Sequence, residues 1–492
     1  MSGKPAVRRV DSELERRRFL YVLGEALERV HRLRQVLRRQ QVFVRAEHAQ
    51  VQPTGGLDTL LGYLDSHRQN LLDNSHLIAS LIRNKPLNDG EREAAKGAVD
   101  LLITGLLQVH ELLLLLPREA AKPQASFLLR DCSGKDLKLS IVLTNLLSAY
   151  EYRFEDVLEK VNIEQTERGS LTQGGSVLCQ AFADKDNPLA WAVLAHEYGH
   201  ALNDGGATSE KIVFGEGSER ESRAKDLKLD WPADVVAETV ADFVAAHMLG
   251  PASLIPILFV EMMQPKLRRV KRISAGHPPT PLRVQLVLGY LKSLGVSAGG
   301  FEPVFEAYKL DYSRKLQDMD EKDRKNVEVM GQEAKKLLSP LAREIASKVN
   351  LLGLRRFDES NAVKARTLRK TLSSRLPISS RRRQPNAKIL VALSFLRRRV
   401  SPERVYRVLA NLDELPVPSS EILTAGWLYK LSSFENELMR AFPSRGGQQK
   451  DLDLYGEYME RTDKLLSKSL EGAEVLVEVR QRLATREGYA TF

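Results

Sequence analysis

NPLAWAVLAHEYGHALND, residues 187–204, is the stretch on which the reading of this chain turns. Asn187 is a good N-cap, and Pro188 suits the first helical position. Leu189, Val193 and Leu194 are spaced to bury one side, and Gly205-Gly206 follows as a stop. The stretch therefore predicts a helix with HEYGH across its middle. Residues four apart on a helix are offset by only about 40°. His196 and His200 thus point the same way, one turn apart, with Glu197 beside them. Two imidazoles and a carboxylate can hold Zn²⁺ and leave a fourth position open. An adjacent carboxylate can then take a proton from water and return it to a leaving amine, the expected role of Glu197. Gly199 costs about 0.5–1 kcal/mol against Ala in a helix interior. A second backbone passing close by would account for it.

Two histidines need a third ligand. The residues after His200 read ALNDGGATS. A metzincin would carry Gly at 203 and His at 206; Asn203 and Gly206 stand there instead, which excludes that class. The candidate segment is DWPADVVAETVADFVAAHMLG, residues 230–250. Pro232 can sit near a helix start, and Gly250 follows its end. Glu238 and Asp242 fall one turn apart on one face of a mostly apolar helix, where buried carboxylates require partners. Glu238 is the expected metal ligand. Asp242 is expected to orient a ligand histidine through its second nitrogen. His247 lies nine residues after Glu238, about 180° round the helix, and points away.

HEYGH followed by Glu238-Thr-Val-Ala-Asp242 resembles the H-E-x-x-H … E-x-x-A-D pattern of gluzincin peptidases related to the CAAX prenyl protease and the heat-shock protease HtpX. GHPPTPLR, residues 276–283, is similar to that family's His-Pro pair with an arginine six residues after the histidine. The resemblance implies that His277 lines the active site and helps stabilise an oxyanion. It implies that Arg283 braces the site through a carboxylate. It also implies that GGSVLCQAF (174–182) is a sheet edge where an extended substrate adds as a strand. The likeness spans roughly residues 130–290. Two departures stand out. Membrane-embedded members of the family have spans that this chain lacks. The charged segment FGEGSERESRAKDLKLD (214–230) is longer than a minimal connection and reads as a solvated insertion, a lid or an autoinhibitory loop.

Around this core the chain of 492 residues reads as three parts. Residues 1–125 are expected to be an N-terminal helical domain, 126–295 the metallopeptidase-like domain, and 301–492 a C-terminal helical domain. KDLKLSIVLTN (135–145) and GGSVLCQAF have the β-branched, alternating character of strands. The fold class expected is therefore mainly α, with a small α+β zincin-type core of a short β-sheet plus the active-site helix. Ser12 and Glu15 have capping-box spacing, and the apolar residues from Phe19 to Leu37 recur at helical period. The arginines between them are expected to form a solvated basic face. GVSAGG (295–300) reads as a linker.

The net charge of +10 admits an acidic partner. It is concentrated between Val363 and Ala410, where 14 Lys or Arg face one acidic residue, Glu403. That segment, 363–410, is either a solvated surface or a docking patch for an acidic protein or nucleic acid. Two cysteines are too few for a disulfide framework and suit a reducing compartment. The charged N-terminus lacks the apolar core of a signal peptide. LLITGLLQVHELLLLLP (101–117) is short for a bilayer span and reads as a buried helix. A cytoplasmic protein without a membrane span is expected.

Together these residues predict a zinc metalloendopeptidase acting on a protein or peptide. It would hold one Zn²⁺ per chain on His196, His200 and Glu238, with Glu197 as base and His277 as a second catalytic group. Asp242 and Arg283 would brace the site. Two alternatives remain: an interaction protein with a peptidase-fold scaffold, and a peptidase recruited to nucleic acid through 363–410. The oligomeric state is not legible.

Overall fold

The structure is a computed structural model and describes residues 5–47, 55–112, 123–134, 139–144, 153–156, 176–181, 187–204, 233–264, 278–374, 416–443 and 448–490. Five helices come first: α1 (Pro5–Glu47), α2 (Gly55–Asp73), α3 (Ser75–Ile82), α4 (Asp89–Leu112) and α5 (Pro123–Ser133). Three short strands follow: β1 (Leu139–Thr144), β2 (Arg153–Asp156) and β3 (Ser176–Ala181). Then come α6 (Ala192–Asp204), α7 (Ala233–Leu249), a 3-10 turn (Gly250–Ser253), α8 (Ile255–Met263) and α9 (Thr280–Ser293). The remaining helices among the described residues are α10 (Glu302–Gln317), α11 (Glu321–Leu351), α12 (Glu359–Ser373), α13 (Ser419–Ala441) and α14 (Gln449–Ala490).

The architecture is mainly α, and the expected mixed α+β zincin-type core is corrected on that point. The buried side chains described belong to helices and the turns that join them, and the strands are four to six residues long. Amphipathic periodicity dominates this sequence, and it is the helices that convert it into a core. The strand order is β1-β3-β2, with β3 parallel to β1 and antiparallel to β2. Ser176–Ala181 is thus a central strand, not the free edge expected of 174–182. β1 pairs along the whole of Ser176–Ala181, and β2 pairs with Ser176–Cys179 on the other side.

One hydrophobic cluster runs from Phe19 in α1 to Ala473 in α14 and takes in residues of α6, α7 and α9. α1 lies at its centre and packs against α4, α8, α10, α13 and α14. This corrects the expectation of a solvated basic face. Glu25, Glu28, Arg29 and Arg34 are buried, because helices cover α1 on several sides. Ser12 lies inside α1, well past its start at Pro5, and not at the helix N-terminus expected there. Of the stretch 101–117, Leu102, Ile103 and Leu106 of α4 are buried and Leu101 is exposed, and residues 113–117 lie outside the described residues. Among the described residues no single helix is long and apolar enough to cross a membrane.

The turn at 294–300 is a packed corner. Val296 and Phe301 are buried, and Gly295, Gly299 and Gly300 take positive φ. Beyond it, Asp358 and Asn361 start α12 with a reciprocal capping box.

Candidate metal centre

The HEYGH helix begins as the sequence suggests. The Asn187 side-chain oxygen accepts from the Ala190 N–H at 3.3 Å, and a turn over 188–191 leads into α6. Trp191, Leu194, Ala195 and Tyr198 are fully buried and anchor the helix in the core. His196 and His200 leave it on one side, with their Nε2 atoms 3.1 Å apart.

α7 packs directly on α6, and Gly199 makes this possible. A Cβ at Gly199 would fall 2.5 Å from Ala241 Cα and 3.0 Å from Ala241 O. No side chain fits between the two backbones. The close approach brings the Glu238 carboxylate to the histidines: Oε2 is 3.2 Å from His196 Nε2, and Oε1 is 3.2 Å from His200 Nε2. The three groups offer donor atoms within 4.8 Å of one another. One turn further along α7, Asp242 Oδ1 is 3.0 Å from His196 Nδ1. Nε2 of that ring is thereby turned toward Glu238.

Arg283 enters from α9 and closes the arrangement. Its Nε and Nη2 donate to the two Asp242 oxygens at 2.7 Å each, a bidentate pair, and Nη2 is 3.8 Å from Glu238 Oε2. α9 is held on α7 by two contacts that sequence reasoning missed. Tyr290 stacks on Phe243 with ring centroids 4.6 Å apart, and its hydroxyl lies 2.7 Å from His247 Nδ1. Arg283 and Tyr290 are seven residues apart, hence on one face of α9, and that spacing was the available signal. His247 also lies 3.4 Å from the Leu354 carbonyl and takes no part in the centre, as its phase on the helix predicts. Burial holds its imidazole down at about 4, so it is neutral.

Burial dominates the electrostatics, and charged neighbours overcome it. It pushes the His196 imidazole down, but Asp242 and Glu238 outweigh it and lift the group to about 10. It pushes the Asp242 carboxyl up, but Arg283 and then His196 bring it to about 2. Arg283 is raised above its usual value, because Asp242 and Glu238 more than offset its own burial. The cluster therefore favours a cation at His196 Nε2. A proton answers that demand in the metal-free chain, and a metal ion would compete for the same position.

The donor set fits a divalent metal. The two imidazole Nε2 atoms are 3.1 Å apart, and each lies 3.2 Å from a different oxygen of the Glu238 carboxylate. Tetrahedral zinc with bonds of about 2.0–2.1 Å spaces its ligand atoms about 3.3 Å apart. His196 and Glu238 are buried, whereas His200 is half-buried and forms the more open side. Glu197 is buried on the same helix, next to His196. His277 and the segment 214–230 lie outside the described residues.

Compared with protein-family models, curated proteins and solved structures, the chain gives no match to any of them. The ligand geometry and the short sequence pattern are what speak to function.

Proposed function

We propose that this protein is a zinc-dependent metalloendopeptidase. The reading is carried by one observation: His196, His200 and Glu238 converge while Asp242 and Arg283 stand behind His196. A carboxylate on the second nitrogen of a ligand histidine is the arrangement by which metalloenzymes fix the ring and its tautomer. Among the described residues no other His, Cys, Asp and Glu group is placed to hold a metal.

His196, His200 and Glu238 would hold the ion, which supplies a Lewis acid that polarises the scissile carbonyl. Glu197 accepts a proton from the attacking water as its oxygen adds to the carbonyl carbon. It then passes that proton to the amide nitrogen as the C–N bond breaks. Asp242 keeps the His196 ring in place by accepting at Nδ1, and Arg283 holds Asp242 ionised. The half-buried side at His200 is the approach for substrate. A protein or peptide is the substrate class, and a reducing, cytoplasmic setting suits a chain with two cysteines, of which Cys132 is buried and free.

The test pairs metal content by elemental mass spectrometry with cleavage of a casein substrate, for the wild type and for Glu197→Gln. The expected result is one zinc per chain in both, with cleavage lowered about 10²–10⁴-fold in the variant, the range for a general base. Zinc in both without cleavage in either would favour a scaffold. Absence of zinc after reconstitution would remove the metal reading altogether.

A further inference from the structure

A second concave site shares no residue with the metal centre. It is a cavity of about 340 Å³ bounded by α1, the 294–300 turn, α12 and α13. Leu20, Tyr21, Leu428 and Phe434 contribute apolar surface to it, and each is otherwise buried. One wall is bare backbone. Gly299 and Gly300 have φ of 49° and 102°, a region that favours glycine. A Cβ at Gly300 would lie 3.0 Å from Leu428 Cδ2, and one at Gly299 would lie 2.6 Å from Arg366 Nη1. Side chains at these two positions would crowd the hollow, so the GVSAGG stretch keeps it open.

The cavity's charged side chains are unevenly matched. Four arginines line it: Arg16, Arg17, Arg366 and Arg369. Glu13 pairs with both Arg16 and Arg17, Glu435 also pairs with Arg16, and Glu359 pairs with Arg366. Among the described residues, Arg369 has no carboxylate within ion-pair distance. An apolar floor with a surplus guanidinium at its side is complementary to a ligand that joins an apolar group to an anion.

We propose that this cavity binds an acidic peptide segment that carries one apolar side chain. The apolar group occupies the floor, and a neighbouring carboxylate pairs with Arg369, whose planar fork matches a carboxylate's two oxygens. A nucleic acid fits less well. Leu20, Leu428 and Phe434 offer no polar atoms to a base edge, which leaves the Tyr21 and Ser432 hydroxyls as the uncharged polar side chains of the lining. Glu13 and Glu435 also interrupt the positive run that a phosphate backbone requires. Arg366 and Arg369 are the second and third basic residues of the tract that begins at Val363. The cavity therefore gives the start of that tract a defined use, independent of whether the metal centre is a peptidase.

The experiment titrates the full chain into a fluorescein-labelled peptide of Glu and Asp with a single central Phe, read by anisotropy. The same peptide with Ser in place of Phe and a labelled single-stranded oligodeoxynucleotide serve as comparators. Saturable binding of the Phe peptide is expected, about tenfold weaker for the Ser peptide and for Arg369→Glu, the scale of one charge-assisted pair or one apolar anchor. Arg369→Gln should fall between the wild type and Arg369→Glu, and matching thermal melts would show that the variants are folded. No binding of the Phe peptide, or binding unchanged by both variants, overturns the proposal. Equal binding of the Ser peptide removes the apolar anchor and overturns it as stated. Tighter, Arg369-dependent binding of the oligonucleotide would overturn it in favour of a nucleic acid.

Discussion

Two places in this molecule bury charge, and they resolve it differently. Where α1 meets α13 and α14, the carboxylates of Glu25, Glu28 and Asp463 are met by Lys430, Arg29 and Arg32. Lys430 Nζ is 3.0 Å from Glu25 and 2.7 Å from Glu28, Arg29 is 2.8 Å from Glu25, and Arg32 is 2.7 Å from Asp463. Burial pushes the Asp463 carboxyl up to about 7, while Glu25, against its own burial, is held at about 2 by Lys430, Arg29 and Arg32, and every cation here is part of the chain. At the α6–α7–α9 junction, Glu238 and Asp242 meet two imidazoles and a single guanidinium, and the donor atoms point at one another. The first site is complete as a piece of protein. In the second, two carboxylates face one guanidinium while the imidazoles are neutral, and the missing positive charge is one that a proton on His196 or a metal ion can supply.

The comparison breaks most visibly at Lys430. Lys430→Met should cost about 3–5 kcal/mol, because it leaves Glu25 and Glu28 buried beside fewer cations. Chemical denaturation reads the loss, and metal content at the intact α6–α7 site should not change. A cost under about 1 kcal/mol would mean that Lys430 is not needed to hold Glu25 and Glu28 in the interior.

Gly199→Ala is expected to cost about 1–3 kcal/mol, since the added methyl meets the Ala241 backbone. It should also weaken metal binding by moving Glu238 away from the histidines. The control is Gly97 of α4, where a Cβ meets nothing within 4 Å. Gly97→Ala should stabilise by about 0.5–1 kcal/mol. Equal effects at the two positions would remove the close-contact argument.

Asp242→Asn should lower metal affinity about 10–100-fold with the three ligands untouched. Competition with a chromophoric chelator measures it. An unchanged affinity would show that Asp242 braces Arg283 alone.

Acid should separate the two sites by degree. Burial pushes Glu25 up, but Lys430, Arg29 and Arg32 bring its carboxyl down to about 2. Its folded value lies below its unfolded one, so its contribution is present above about 4.5 and is lost only as pH falls toward 2. At the other site Asp242 and Glu238 lift His196, against its own burial, to about 10 in the metal-free chain, so below that pH a proton competes with the metal at Nε2. Metal affinity should therefore fall by up to about tenfold per pH unit for each imidazole that must be deprotonated. Metal should dissociate on mild acidification while far-ultraviolet circular dichroism stays native. Loss of metal and helix at the same pH would join the two sites into one unit.

The candidate metal centre was largely legible because its information is local. Helical phase alone puts His196 with His200 and Glu238 with Asp242, and an expensive glycine at 199 announces a close neighbour. Arg283 came from a spaced pattern, and its bidentate grip on Asp242 matches the bracing expected of it. What was not legible depends on the surroundings of an element. The charges of α1 read as a wet face because nothing in their spacing reveals that several helices cover it. Ser176–Ala181 reads as a strand from its side chains, yet its central position is decided by β1 and β2, whose pairing no residue of 174–182 encodes. GVSAGG reads as a linker from composition, but its positive-φ glycines are set against α12 and α13.

The contact between Gly199 and Ala241 also works as a label. It sets the separation of α6 and α7 by main chain against main chain, so the spacing does not depend on a rotamer. A sequence signature that keeps this information reads H-E-x-G-H … E-x-x-A-D, with the glycine and the alanine as two halves of one statement. A chain with the same ligands and a bulky residue at either place must hold its helices further apart and reach the ion with differently posed side chains. Small-residue pairs of this kind turn a distance in space into letters that can be searched for.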